Sequence, residues 1–221
     1  MFLTRVYRDR VQAGDVLAER LVRYADRDDL VVLALPRGGV PVAFPIARAL
    51  AAPLDILAVR KIGVPGHEEL AMGAVAAGGV RVLNDAVITG LEIDDVTLHQ
   101  ATEMALGGLA LQERRFRGDR PESPRAGRVA VLVDDGLATG STMEAAIESC
   151  RQADVAGVVV AVPVGAPPTV SYLTTLADDV VCPLTPATFR AVGLAYRDFA
   201  PVEDGEVLAL LGAADQWLHR P

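Results

Sequence analysis

Two stretches of this chain are aliphatic without a break, Leu30 to Leu35 and Val129 to Val133, and a third, Val155 to Val164, is interrupted only by Gly157 and Pro163. A strand with one face in water alternates apolar and polar residues; a strand covered on both faces does not need to. Aliphatic runs of this length are therefore read as strands buried on both sides, and both faces are covered when helices cross over between parallel strands. Leu54 to Val59 and Asp179 to Cys182 read as two further strands. The segments between have helical character: residues 10–25, 40–51, about 141–152 and 167–177, and a terminal helix over about 203–218. Strand and helix in alternation predict an open, mostly parallel α/β sheet. Residues 92–117 read as one long helix loosened by Gly107 and Gly108, and residues 73–83 as a hairpin turning at Gly78-Gly79.

In such sheets a ligand sits outside the carboxyl ends of the strands. Three unusual segments follow predicted strands: 36–39, 60–71 and 134–142. They are expected to meet at one edge of the sheet. The segment 60–71 has no clear period, holds two glycines and a proline, and reads as a mobile loop.

The strongest signal is the run from Val131 to Thr142, in which a strand leads into Asp134-Asp135-Gly136-Leu137-Ala138-Thr139-Gly140-Ser141-Thr142. Adjacent carboxylates at a strand end repel one another and lose hydration, so they call for cations or hydroxyl donors. Gly136 and Gly140 let the backbone turn tightly against a ligand. Thr139, Ser141 and Thr142 add hydroxyls, and the helix that starts there offers free N–H groups to a phosphate. One loop thus has carboxylates for sugar hydroxyls and a nest for a phosphate. The simple alternative, a βα turn with Thr139 or Ser141 as a helix cap, accounts for one hydroxyl only.

This segment resembles the signature of the type I phosphoribosyltransferases: an apolar strand, two acidic residues, and a Gly/Thr-rich turn ending in Thr-Gly-Ser/Thr-Thr. The resemblance implies an open, mostly parallel sheet flanked by helices, with a small C-terminal hood. It implies that Asp134 and Asp135 contact the ribose 2′- and 3′-hydroxyls. Residues Ala138, Thr139, Gly140, Ser141 and Thr142, with Gly136, would cradle the 5′-phosphate of phosphoribosyl pyrophosphate. Likeness to a bacterial subgroup with no assigned acceptor covers about residues 5–211, through 60–74, 191–194 and 196–199.

Two other loops support this. Arg37 is the one charge in Leu35-Pro36-Arg37-Gly38-Gly39-Val40-Pro41. A guanidinium fork beside the amides of Gly38 and Gly39 suits a diphosphate, and the family has its pyrophosphate loop in this place. A tight turn with an exposed arginine is the plain alternative. Lys61 is the single lysine among 21 basic residues and lies in the segment that family members close over substrate. With Arg60 it is a candidate for stabilising departing pyrophosphate. His67 and Glu68 are weaker candidates for proton transfer, and His99 and His219 read as structural or solvated.

The expected activity is transfer of 5-phosphoribose to a nitrogen acceptor, a nucleobase or related heterocycle, with Mg²⁺ bridging substrate oxygens and few protein ligands. Acceptor contacts would come from a hood over about 183–218, beyond a core over about 5–182 of a single domain, with Phe189, Tyr196 and Phe199 as stacking candidates. Packing of those rings onto the core is the competing reading. The whole could instead be a non-catalytic module that binds phosphoribosyl pyrophosphate or a nucleotide. A phosphatase built on Asp134-Asp135 would leave the Gly/Thr turn unexplained.

The formal net charge of −8 argues against a nucleic-acid backbone binder. No apolar run reaches the length of a membrane span, and residues 1–10 lack the apolar stretch of a signal peptide. A cytoplasmic location is expected, with Cys150 and Cys182 as unpaired thiols. A homodimer is compatible with the sequence.

Overall fold

The computed structural model describes residues 6–118 and 120–218 of the 221-residue chain. His219 lies outside the described residues, as do the side chains of Glu68 and Glu69.

Five strands form one parallel sheet: β1 (Leu30–Ala34), β2 (Leu54–Ile56), β6 (Val129–Val133), β7 (Gly157–Ala161) and β8 (Asp179–Val181). Their order is β2-β1-β6-β7-β8, and every pairing is parallel. The three long runs of the sequence are the three central strands, and all five residues of each are buried. Register sets the level of the loops. Ala34 lies beside Val133, and Val133 beside Ala161, so these strands end together. The loops that leave β1 and β6 therefore start side by side, and the Leu35 N–H donates to the Val133 carbonyl (2.9 Å).

One face of the sheet is covered by α1 (Arg10–Arg20), α2 (Gly39–Ala49) and α7 (Asp204–Leu218). Leu17, Val40, Ile46, Val207 and Leu211 fill this layer against Val32 and Val131. The other face takes α5 (Ser141–Gln152), through Met143 and Ile147 against Leu33 and Leu132, and α6 (Pro167–Leu173) through Leu173.

The segment 60–71 is not the open loop its composition suggests. It holds most of β3 (Val59–Val64) and the start of β4 (His67–Ala76), which pair antiparallel and continue through a turn at Gly78-Gly79 into β5 (Val80–Leu83). Irregular register between Ile62 and Val64 breaks the strict alternation that a sequence reading looks for. Ile62 and Met72 are nonetheless fully buried, against Ala101, Ala105 and Leu109 of α4 (Asp95–Arg117). The expected long helix starts at Asp95, not 92, because Asp94 caps it by accepting from the Thr97 N–H (2.7 Å), and it runs unbroken through Gly107-Gly108. A short helix α3 (Asp85–Gly90), which the sequence reading passed over, precedes it. The predicted 54–59 strand is divided, with β2 ending at Ile56 and β3 beginning at Val59.

Residues 183–202 are irregular apart from a 3-10 turn over Val192–Ala195. They are fastened to the start of the chain: Tyr7 bridges Tyr196, and the Val6 and Tyr7 N–H groups both donate to the Ala195 carbonyl (3.0 Å each). Tyr7, Ala13, Val164, Ala195 and Tyr196 form a small buried cluster there. No described helix is long and apolar enough to cross a membrane. Cys150 and Cys182 are unpaired, and burial pushes their thiols up to about 11 and about 12.

Candidate functional site

Helix starts divide into two kinds. α1, α3 and α4 are capped by the side chains of Asp9, Asn84 and Asp94, each accepting from a first-turn N–H. α2, α5 and α6 have no side-chain cap. In α2, which follows β1, the Gly39 and Val40 N–H groups are already taken by the Leu35 and Arg37 carbonyls (3.0 and 3.2 Å) and Pro41 has none, so the free helix start beside the acid pair is that of α5, after Gly140. In α5 the first backbone bond runs from the Glu144 N–H to the Gly140 carbonyl (2.9 Å), so the amides of Ser141, Thr142 and Met143 have no backbone acceptor among the described residues. Uncapped N–H groups at a helix start favour an anion. Gly140 reaches this start in the left-handed region (φ 85°), where a side chain is strained.

The Gly/Thr turn is held from outside. The Leu137 N–H donates to the Val164 carbonyl (2.8 Å), and the Thr169 hydroxyl donates to the Ala138 carbonyl (2.7 Å). Thr139 and Ser141 remain with their hydroxyl oxygens 3.4 Å apart.

The arginine turn lies against the acid pair. A Cβ placed on Gly38 would fall 2.1 Å from Asp135 Oδ2, and one on Gly39 would fall 2.5 Å from the Val133 carbonyl oxygen. Only glycines allow this approach. The Pro36–Arg37 peptide bond is cis. Gln112 of α4 donates to the Pro36 carbonyl (3.4 Å), and the Arg37 guanidinium reaches Asp204 at the start of α7 (3.5 Å), which also accepts from Arg115 (2.8 Å).

Asp134 and Asp135 are both half-buried. Asp134 Oδ1 accepts from the Asp135 N–H (2.8 Å). Asp135 Oδ2 is paired with Arg10 Nε (2.8 Å). Burial pushes the Asp134 carboxyl well above the usual carboxylate range, and the neighbouring Asp135 adds to it; Arg10 and Lys61 pull the other way. Asp135 is raised by burial as well, with Arg10 opposing. Two adjacent carboxylates cannot both ionise freely here, and Arg10 marks Asp135 as the one that does so more readily.

Lys61 is exposed on β3, near enough to Asp134 to lower its proton affinity. It lines a cleft of about 390 Å³ that runs from Leu70, Gly73 and Val82 to Thr139, Ser141 and Glu144. The predicted convergence of three segments is thus present: the arginine turn touches the acid pair, the Gly/Thr turn follows it, and Lys61 looks across from the second sheet. Arg60 packs instead against Gly108 of α4, and lines a second cleft with Lys61 and Gln112. His67 lines neither cleft.

The stacking role expected of Tyr196 is corrected by its position. The ring is 1% exposed, lies on Tyr7 and Phe199, and donates its hydroxyl to the Asp135 carbonyl (2.6 Å). Burial raises its proton affinity further. It has no face left for a heterocycle. Phe189 is half-buried and packs on the same cluster, outside the 390 Å³ cleft. The competing reading of these rings, packing onto the core, is the one that holds: Tyr196 is buried, and Phe189 and Phe199 pack on the same cluster.

Arg10, Asp204 and Gln112 were not found by sequence reasoning. Each sits on a helix with ordinary amphipathic character, and nothing local shows that its polar end reaches a loop more than 70 residues away.

A family model for the phosphoribosyl transferase domain matches residues 5–196. A Mycobacterium tuberculosis protein (strain CDC 1551 / Oshkosh), provisionally named a phosphoribosyl transferase, is 47% identical over 210 residues, covering 95% of this chain and 47% of that protein. Its counterpart in strain H37Rv gives the same figures. The chain spans about half the length of these curated relatives. Among solved structures, that of TT1426 from Thermus thermophilus is 44% identical with a TM-score of 0.79, covering 93% of this chain and 97% of that one.

Proposed function

We propose, from the fact that this chain belongs to the phosphoribosyl transferase family, that it transfers 5-phosphoribose from phosphoribosyl pyrophosphate to a nitrogen nucleophile and releases pyrophosphate. The whole chain is read as one such domain. The observation that carries the proposal is one acid pair set between the arginine turn, packed on Asp135 at Gly38, and the open helix start after Gly140. A sugar with a phosphate at one end, a diphosphate at the other and hydroxyls between has the complementary order of groups.

In this reading the amides of Ser141 and Thr142, with the hydroxyls of Thr139 and Ser141, hold the 5′-phosphate along Gly136 and Ala138. Asp134 and Asp135 accept from the ribose hydroxyls. Arg37, the Gly38 and Gly39 turn and Lys61 hold the diphosphate. As the C1–O bond breaks, positive charge grows on the sugar ring and negative charge on the leaving group. The acid pair faces the first and the basic groups face the second, so both are stabilised by groups already in place. Little covalent work falls to the protein; positioning supplies most of the rate.

Among the described residues no three His, Cys, Asp or Glu side chains gather as a metal cage. The residues fit a different arrangement. Mg²⁺ favours hard oxygens and keeps several waters, so it can travel on the diphosphate and need only a carboxylate oxygen from the protein. Asp134 and Asp135 are the residues that would hold it, and bound there it would neutralise diphosphate charge.

The test is a calorimetric titration of the protein with phosphoribosyl pyrophosphate and Mg²⁺, followed by a pyrophosphate-release screen over purine, pyrimidine and related heterocycles. Saturable binding and release with at least one acceptor are expected. Absence of any binding heat in the titration would remove the proposal.

A further inference from the structure

We propose that Arg10 is a positioning residue for the acid pair: from the first turn of α1 it ties down one oxygen of Asp135, so that each aspartate keeps a single oxygen for the ligand. This rests on the reading above, in which the pair takes the ribose hydroxyls.

The geometry is specific. Arg10 Nε meets Asp135 Oδ2 at 2.8 Å, with the two side chains only 11% and 17% exposed. The guanidinium lies 3.9 Å above the Phe199 ring, and another of its nitrogens donates to the Ala200 carbonyl (2.8 Å). Tyr196 donates to the carbonyl of Asp135 itself (2.6 Å). Asp135 is thus held by side chain and backbone from two distant segments. On the other carboxylate, Oδ1 of Asp134 is occupied by the following amide. Oδ2 of Asp134 and Oδ1 of Asp135 have no hydrogen bond among the described residues. Two free oxygens on neighbouring residues complement two O–H donors on neighbouring carbons. Without Arg10, Asp135 would be free to rotate, and its charge would lose the partner that offsets burial. A planar fork that stacks, pairs and donates at once is a task for arginine; the ammonium of lysine is a point charge.

The experiment compares ribose 5-phosphate with pyrophosphate as separate probes on the full chain. Both probes are titrated without Mg²⁺, so that ribose 5-phosphate uses the acid pair and pyrophosphate does not. Arg10→Met should weaken ribose 5-phosphate binding by about tenfold or more and leave pyrophosphate affinity within about twofold. Arg10→Lys, which keeps the charge, should fall between, and it serves if the methionine variant does not fold. In an Asp135→Asn background the Arg10→Met effect should largely vanish, because the residue acts through Asp135. Equal weakening of both probes would reveal general damage and overturn the proposal, as would unchanged ribose 5-phosphate binding. If the wild-type protein binds neither probe, the phosphoribosyl reading itself falls, an outcome distinct from a failure confined to the variants.

Discussion

Gly38 and Asp135 belong to different loops, yet a Cβ on the first would fall 2.1 Å from Oδ2 of the second. The arginine turn and the acid pair are one packed unit, and Arg10 on the far side leaves the carboxylate nowhere to retreat. Gly38→Ala is therefore expected to cost about 1–3 kcal/mol in stability, the range for overpacking. It should also weaken phosphoribosyl pyrophosphate binding sharply. Denaturant unfolding of Gly38→Ala, Asp135→Ala and the double variant would check the first point. Removal of the clashing carboxylate should recover part of the glycine penalty, so the two losses should not add.

A second expectation concerns pH. The Asp134 carboxyl lies well above its ordinary value because burial and Asp135 disfavour its charge. Between the unfolded value, about 3.9, and the raised folded value, the native state binds more protons than the unfolded state. Stability should fall as pH rises through that window and then level off. Asp134→Asn should remove this part of the slope and make the free protein more stable at neutral pH, while reducing affinity for ribose 5-phosphate. Melting curves of both proteins across pH 4–8 would decide; the same slope in each would rule the explanation out.

Asp204 competes for Arg37. Their side chains approach to 3.5 Å at an exposed position, and Asp204 has a closer partner in Arg115. An exposed ion pair is worth about 0.2–1 kcal/mol. Asp204→Ala should then tighten pyrophosphate binding by up to about fivefold at low salt, with little change in fold. Weaker binding would mean that Asp204 orients Arg37 and does not restrain it.

Tyr196→Phe removes the donor to the Asp135 carbonyl and should cost about 1–2 kcal/mol. Because the ring is 1% exposed, the ranking of acceptors in a pyrophosphate-release screen should not change. A changed ranking would show that the ring meets the acceptor after all.

Sequence made the central sheet legible because a strand buried on both faces leaves an unmistakable aliphatic run, as at Val129–Val133. The acid pair and the glycines around it were legible for a related reason: such residues at a strand end are costly without a ligand. The second sheet was legible only in its 73–83 hairpin, and the pairing of 59–64 with 67–76 was not. Its strands 59–64 and 67–76 carry a register irregularity, and they are buried by α4, a partner more than 20 residues further on. Arg10 was hidden altogether. A charged residue in the first turn of an amphipathic helix looks solvated, and only the folded chain brings it to Asp135, 125 positions away.

That separation bears on biogenesis. The clamp on Asp135 draws on Arg10 near one end of the described chain and on Tyr196 and Phe199 near the other. During synthesis the β1–β6 framework can assemble long before residue 196 leaves the ribosome, but the aspartate stays unrestrained until it does. Such long-range closure is slow compared with local helix formation. Refolding should thus regain sheet structure first and the capacity to grip a sugar last, with a compact but incompetent species in between.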